Sequence, residues 1–217
     1  MGKTGTTTPE RVLHAAYGLF AAKGYEGTTT QDICNLAQAN IAAVNYHFGG
    51  KENLYRAVWE YGDAQARRRQ EEGIPAGSPP EERLRRFIEL RVQALLGEDE
   101  TGWFGQLVHR EMASPSPLQE ELHERFLRPR HQWFRALVRE IVGEGVSDQE
   151  VRLAGFCIHS PLIHLSEMRN RAVPRPRHPD GPTSDPAALA GTLYTFALAG
   201  LRELRARHET NCQARES

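Results

Sequence analysis

Glycine and proline cut this chain into pieces of helical length, and that punctuation restricts the fold more than any other feature of the sequence. The breaks fall at Gly24, at Gly49-Gly50, in EGIPAGSPP at 72–80 and in PRPRHPDGPTSDP at 174–186. Between them apolar residues recur every three or four positions, while the alternating Val/Ile/Thr runs that build strands are nearly absent. The expected fold is all-α, with helices at about 9–23, 30–38, 40–48, 51–70, 81–97, 103–113, 117–143, 148–171 and 186–209. Thr8 is the expected cap of the first helix, before Pro9 in its opening turn, and Gly24 stops it. Pro129 and Pro161 fall inside expected helices and should kink or interrupt them. The run 174–186 reads as a mobile loop.

Two domains are expected: a small helical one at 8–66 and a larger one at 67–217. With 217 residues, 39% of them hydrophobic and 25% charged, the chain can bury a core. A net charge of -1 argues against indiscriminate coating of nucleic acid. A sequence-specific reader remains open, because its positive charge can be confined to one small face. Residues 1–59 hold five basic side chains against four acidic ones.

Cys34, Cys157 and Cys212 are widely spaced and odd in number, so neither a disulfide framework nor a zinc site is expected. The polar, Thr-rich start has no apolar h-region, and the longest apolar stretch, Ala187 to Leu201, falls short of the roughly 20 residues that span a bilayer. The reading is a cytoplasmic protein without membrane anchor or cofactor. No G-x-S-x-G, P-loop or G-x-G-x-x-G run occurs. His159 and His164 are about 140° apart on a helix, unlike the i, i+4 pair of a metal site, and Cys157 lies in an apolar stretch where a thiol is inert. Catalysis is therefore not expected.

The most informative stretch is TTTQDICNLAQANIAAVNYHFGGKENL, from Thr28 to Leu54. It reads as two short helices about a tight turn. At about 100° per residue, Ile41, Val44 and Phe48 of the second helix fall on one side and form its expected buried stripe. The other side carries Ala42, Ala43, Tyr46 and His47, with Asn45 at its margin and Asn40 as N-cap. Such a surface suits DNA. Small side chains let a helix backbone approach the major-groove floor, Asn can pair bidentately with adenine, and Tyr, His and a helix N-terminus can bond phosphates. Lys51, just after the glycine pair, is placed to neutralise a phosphate. A short amphipathic helix with a few polar residues is, taken alone, more often plain surface.

From Arg11 to Trp59 the chain resembles the N-terminal domain of TetR-type regulators. The matching pieces are Leu19-Phe20, Gly24-Tyr25, Thr28-Thr29, Ile33, Ala37, Tyr46-His47-Phe48, Lys51 and Leu54. The resemblance implies that Thr29 and Thr30 open a helix lying across the DNA backbone and contact phosphate. It implies that Asn40, Ala42, Ala43, Asn45, Tyr46 and His47 belong to the recognition helix, that Lys51 binds phosphate and that Phe48 is core. Two positions depart from the family pattern. Gln38 stands where the family has Gly, so it must adopt a left-handed conformation or tighten the turn differently. Asn45 stands where a Tyr often precedes Tyr46, which alters the bases read.

For the remaining two thirds the resemblance implies a ligand cavity and a dimer interface without assigning residues. Composition and position single out Trp103, Phe104, Leu107, Trp133, Phe134, Phe156, His159, His164 and Met168 as a set fit for a largely apolar pocket with a few polar anchors. Aromatic residues at helical spacing are also ordinary core. The last helix has a small-residue face, Ala188, Gly191, Thr192, Thr195, Ala199 and Gly200, beside Leu189, Leu193, Phe196, Leu198 and Leu201. With its predecessor it is expected to form a four-helix dimer interface. The expected function is a homodimeric repressor that binds a palindromic operator and is released by a largely apolar small molecule. A helical small-molecule carrier without DNA function is the alternative.

Overall fold

The computed structural model describes residues 7–96, 100–170 and 185–216, with side chains described up to residue 165 in the second stretch and 210 in the third. Helices make up these stretches, and no strand occurs among the described residues. In chain order they are α1 (Thr8–Lys23), α2 (Thr30–Ala37), α3 (Ile41–Phe48), α4 (Lys51–Gly73), α5 (Pro80–Leu96), a 3-10 turn (Glu100–Gly102), α6 (Trp103–Ala113), α7 (Gln119–Leu122), a π turn (His123–Leu127), α8 (Arg128–Val142), α9 (Asp148–Asn170) and α10 (Pro186–Glu216). The run 174–186, expected as a mobile loop, lies outside the described residues except for its last two positions. No helix among the described residues is long and apolar enough to cross a membrane.

Most expected boundaries hold within a residue or two; α4 runs three residues past its expected end at 70 and α10 seven past 209, while the other differences have local causes. The cap of α1 is Thr7 rather than Thr8: the Glu10 carboxylate accepts the Thr7 backbone N–H at 2.7 Å, which fixes the helix start one residue earlier. The expected single helix 117–143 is divided into α7, the π turn and α8, with Pro129 in the first turn of α8. Pro129 has no N–H and its ring excludes the carbonyl four residues back, so the backbone widens there instead of continuing as α-helix. Pro161, by contrast, is carried within α9.

The chain forms two compact units. The first is drawn from Met1–Arg68 and Gly97–Phe126, the second from Arg69–Leu96 and Leu127–Ser217. In the first, α1 packs on α2, α3 and α6. Its core is aromatic: the Phe20 and Tyr55 rings lie 4.7 Å apart, Tyr25 and Tyr55 5.0 Å, and Trp59 lies 5.6 Å from Phe104 and 5.8 Å from Phe126. Burying side chains of this size stabilises by roughly 1.5–3 kcal/mol each, and tilted ring pairs add about 1 kcal/mol. Gly62 permits the tight fit, since a Cβ there would come within 2.7 Å of the Phe104 ring.

The Glu111 carboxylate is buried in this core with both oxygens hydrogen-bonded. The Glu111 carboxylate, 3% exposed, accepts the Tyr55 hydroxyl at 2.7 Å, the Ser116 N–H at 2.9 Å and the Ser116 hydroxyl at 2.7 Å. It thereby ties α4 to the end of α6. Burial, with the neighbouring carboxylate, pushes the Tyr55 phenol far above its ordinary value, so it stays a donor.

In the second unit α10 packs on α5, α8 and α9 around Leu84, Ile88, Val92, Leu137, Val138, Leu162 and Leu201. The outer faces of α9 and α10 are less well covered. Leu153, Phe156, Ile163 and Phe196 are exposed, and a groove of about 450 Å³ runs between the two helices, lined by Leu153, Cys157, Pro161, Leu193, Phe196 and Leu204 among others.

Candidate nucleic-acid interface

The helix-turn-helix is built by local hydrogen bonding before any partner is considered. Thr29 caps α2: its Oγ1 accepts the Asp32 N–H at 3.1 Å, and the Asp32 carboxylate accepts the Thr29 N–H at 3.1 Å. Thr28, one residue earlier, is buried and donates its hydroxyl to the Gly24 carbonyl at 2.9 Å. After α2 the chain reverses at Gln38, which takes φ 51° and ψ 49°. Gln38 thus adopts the left-handed conformation that its place in the turn requires. Asn40 then caps α3, its Oδ1 accepting the Ala43 N–H at 2.7 Å.

Arg11 holds the turn from outside. Its Nε donates to the Ala37 carbonyl at 3.1 Å, binding α1 to the last residue of α2. Periodicity gives no sign of this role, because the two residues are 26 positions apart and Arg11 lies on the polar side of its own helix.

Val44 is the one fully buried side chain of α3. Phe48 is half-buried, but Ile41, expected in the same stripe, is 44% exposed. Ile41 opens the helix, and helical side chains lean towards the N-terminus, so it projects past the first turn instead of beneath it. The opposite face is open. Tyr46 is 85% exposed, with its ring 4.9 Å from that of His47. Ala42, Asn45 and His47 are exposed as well, and Ala43 is half-buried. The structure therefore brings Ala42, Asn45, Tyr46 and His47 to one accessible helix surface.

Gly49 and Gly50, at φ 73° and 120°, turn the chain from α3 into α4. Lys51, at the start of α4, places its Nζ 4.1 Å from the centre of the Tyr25 ring. That contact orients the ammonium while its remaining donors stay available. Thr29 is exposed and keeps its hydroxyl hydrogen for an acceptor, and Thr30 is half-buried. Asn40 likewise retains its amide N–H groups once its oxygen has capped α3. The chemical capacity of this surface is a row of neutral donors and one cation beside small side chains, which fits a phosphate backbone flanking a groove.

The nine residues singled out for a ligand do not gather at one place. Trp103, Phe104 and Leu107 are in the first unit: Trp103 lies edge-on to Tyr17 at 5.3 Å, Phe104 packs on Trp59, and Leu107 is fully buried. In the second unit Trp133, Phe134 and His159 do converge. Phe134 lies 4.7 Å from Phe87 and 4.3 Å from the His159 ring, and Trp133 lies 5.8 Å from Phe87. Phe156 and His164 are exposed, because Val151, Ile158, Leu162 and Leu165 make the buried stripe of α9 and these two lie on its opposite side. The Met168 side chain lies outside the described residues. Phe87 and Arg91, which sequence inspection passed over, belong to the convergent group: Phe87 through its ring contacts, Arg91 through its charge beside His159.

Burial of the His159 imidazole lowers its pKa to about 4, reinforced by the charges of Arg91 and His131, although its bond to the Gly155 carbonyl at 3.0 Å opposes the shift. It is neutral at physiological pH. Burial also lowers Arg91, to about 10, with Arg130 contributing.

Known proteins match the chain in two consecutive stretches. Residues 12–58 match the model of bacterial regulatory proteins of the tetR family, and residues 80–201 match the C-terminal domain of the HTH-type transcriptional dual regulator CecR. The chain is 28% identical over 159 residues to CecR of Shigella flexneri, covering 69% of this chain and 71% of that protein. It is 27% identical over 176 residues to the HTH-type transcriptional regulator LmrA of Bacillus subtilis, covering 72% of this chain and 92% of LmrA. In fold it is similar to AibR, solved in complex with isovaleryl coenzyme A and operator DNA, with a TM-score of 0.69 at 17% identity over 88% of this chain and 97% of that one. With its N-terminal helix-turn-helix and more than half its length within the CecR-type C-terminal domain, the chain belongs to the TetR family of transcriptional regulators.

Proposed function

We propose that this regulator is a repressor that binds a palindromic operator as a homodimer and is released by a small molecule taken up in its second unit. The observation that carries the DNA half of this reading is the disposition of α3: Val44 anchors it inward, while Asn45, Tyr46 and His47 stand in solvent. Thr29, Thr30, Asn40 and Lys51 supply phosphate contacts on either side, and Ala42 and Ala43 let the helix lie deep in the major groove. In a dimer, two such helices enter successive major grooves about 34–36 Å apart.

Dimerisation through α9 and α10 is supported by the exposed Leu153, Phe156, Ile163 and Phe196 and by the groove between the helices. A solitary protomer would leave this apolar surface in water. The effector is assigned to the region where Phe87, Trp133, Phe134 and His159 meet. AibR shows that this fold can carry a small molecule and operator DNA together. An effector that prefers one arrangement of the dimer weakens operator binding by linkage, without touching DNA.

The test uses Tyr46→Ala and Lys51→Ala, assayed by gel shift on a palindromic fragment from the gene's own promoter region. Each variant should stay dimeric and lose about tenfold in affinity, the equivalent of one contact. Undiminished binding by both variants would remove α3 from the interface.

A further inference from the structure

We infer that the interior of the second unit holds an anion-binding site centred on Arg91, so that the effector carries a negative group on an apolar body. This rests on the reading that the second unit takes up an effector, and it names the chemistry that effector must have.

Arg91 differs from every other arginine on its helix. Arg83 bonds the Glu140 carboxylate at 2.7 Å, Arg85 and Arg86 both pair with Glu82, and Arg86 also reaches Glu89. Arg91 has no carboxylate partner among the described residues, and its Nε is buried without any hydrogen bond. The residue as a whole is half-buried, with its Nε enclosed. An unmatched buried cation is unfavourable, and folded proteins rarely keep one without a bound partner or a function.

Among the described residues no acidic side chain is found acting on Arg91. The groups that act on Arg91 and on its neighbour His159 are Arg130 and His131 of α8, all of one sign or neutral. Arg130 and His131 have other interactions of their own. His159 donates its Nδ1–H to the Gly155 carbonyl at 3.0 Å, so Nε2 of the neutral ring is an acceptor and the anion itself is left to Arg91. The rings of Phe87 and Phe134, 5.7 and 4.3 Å from the imidazole, form the apolar wall beside this head-group site.

A guanidinium recognises carboxylate and phosphate alike, through two parallel N–H···O bonds. The ligand head is therefore either the carboxylate of a free acid or a phosphate ester, and the experiment separates the two. Thermal unfolding of the full chain is followed with decanoate, decyl phosphate or 1-decanol added, for the native protein and for Arg91→Met. Native protein should be stabilised by one or both anions and not by the alcohol, the preferred anion identifying the head group. Arg91→Met should lose that response.

Without additive, Arg91→Met should melt higher than the native protein, by about 3 °C for each kcal/mol of unmatched charge removed. A lower melting temperature for Arg91→Met would make the residue a structural member of the core and overturn the site. Equal stabilisation by 1-decanol, or none by either anion, would overturn it too. Operator binding without additive should be the same for both proteins. Loss of operator binding by the native chain would instead count against the repressor reading and leave the melting data to stand.

Discussion

Glu111 in the first unit and Arg91 in the second are both enclosed charged side chains, and their surroundings differ. Glu111 receives three hydrogen bonds from Tyr55 and Ser116, whereas Arg91 keeps an unbonded Nε among groups of its own sign. The outer surfaces differ too. The open face of α3 is polar apart from two alanines, while α9 and α10 expose Leu153, Phe156 and Phe196. In the first unit the Glu111 charge is matched by donors from within the fold, and the open face of α3 offers water a largely polar surface. Among the described residues of the second, Arg91 lacks a carboxylate partner and α9 and α10 expose apolar side chains, which is the condition of a unit that functions by binding something else.

The largest expected effect breaks that contrast at the outer face. Phe156→Glu adds a charge where the side chain is already 68% exposed, so the protomer core loses nothing. Across a two-fold interface the same charge is introduced twice and must be desolvated. The dimer should dissociate, with at least a hundredfold loss of operator affinity and little change in helix content. Light scattering that still reports a dimer would move the interface elsewhere.

The second test probes the charge inside. His159 titrates near 4 when folded, against about 6.5 in the unfolded chain. A depressed base stabilises the fold above its unfolded pKa and destabilises it below, because the unfolded chain then binds the extra proton. Stability should therefore fall as pH drops from about 6.5 towards 4, by about 3 kcal/mol at most. His159→Gln should flatten that part of the profile in denaturant titrations. If an anion fills the Arg91 site, the fall should also be shallower, since the bound negative charge favours the imidazolium.

Most helix starts and the open face of α3 were legible because they depend on local signals. The glycines at 24 and 49–50, the cap at Asn40, and a stripe around Val44 all act within a few residues. What could not be read is which of two apolar sides meets the core. Phe156 and Ile158 are both apolar residues of one helix, yet one is exposed and the other buried, and the positions of α5, α8 and α10 decide between them. Trp103, Phe104 and Leu107 were grouped with the second-unit aromatics for the same reason: their spacing shows an apolar face but not that it packs on α1 and Trp59. The Arg11 bond to Ala37 and the solitude of Arg91 are likewise tertiary facts, invisible to any period.

A third test sharpens the account of the first unit. Tyr55→Phe removes one of three donors to a buried carboxylate while keeping the ring contacts with Phe20 and Tyr25. The expected cost is about 1–3 kcal/mol, the desolvation left uncompensated at Glu111. Tyr55→Phe combined with Glu111→Leu should recover part of it. A double variant no more stable than Tyr55→Phe alone would show that the carboxylate contributes little to holding α4 against α6.

The smallest effect belongs to Gln38, at φ 51°. Placing a residue with a Cβ in the left-handed region costs about 1 kcal/mol, which glycine would not incur. Glycine, however, gains freedom in the unfolded chain, worth about 0.4–1 kcal/mol in the opposite direction. Gln38→Gly should therefore be neutral to mildly stabilising, by less than about 1 kcal/mol. Gln38→Val, with a β-branched side chain in the same conformation, should be clearly worse than either. Should Gln38→Gly leave stability unchanged and yet weaken operator binding, the glutamine amide would itself be a contact at the turn. The reading surface would then extend from α3 back to the residue where this chain departs from its family.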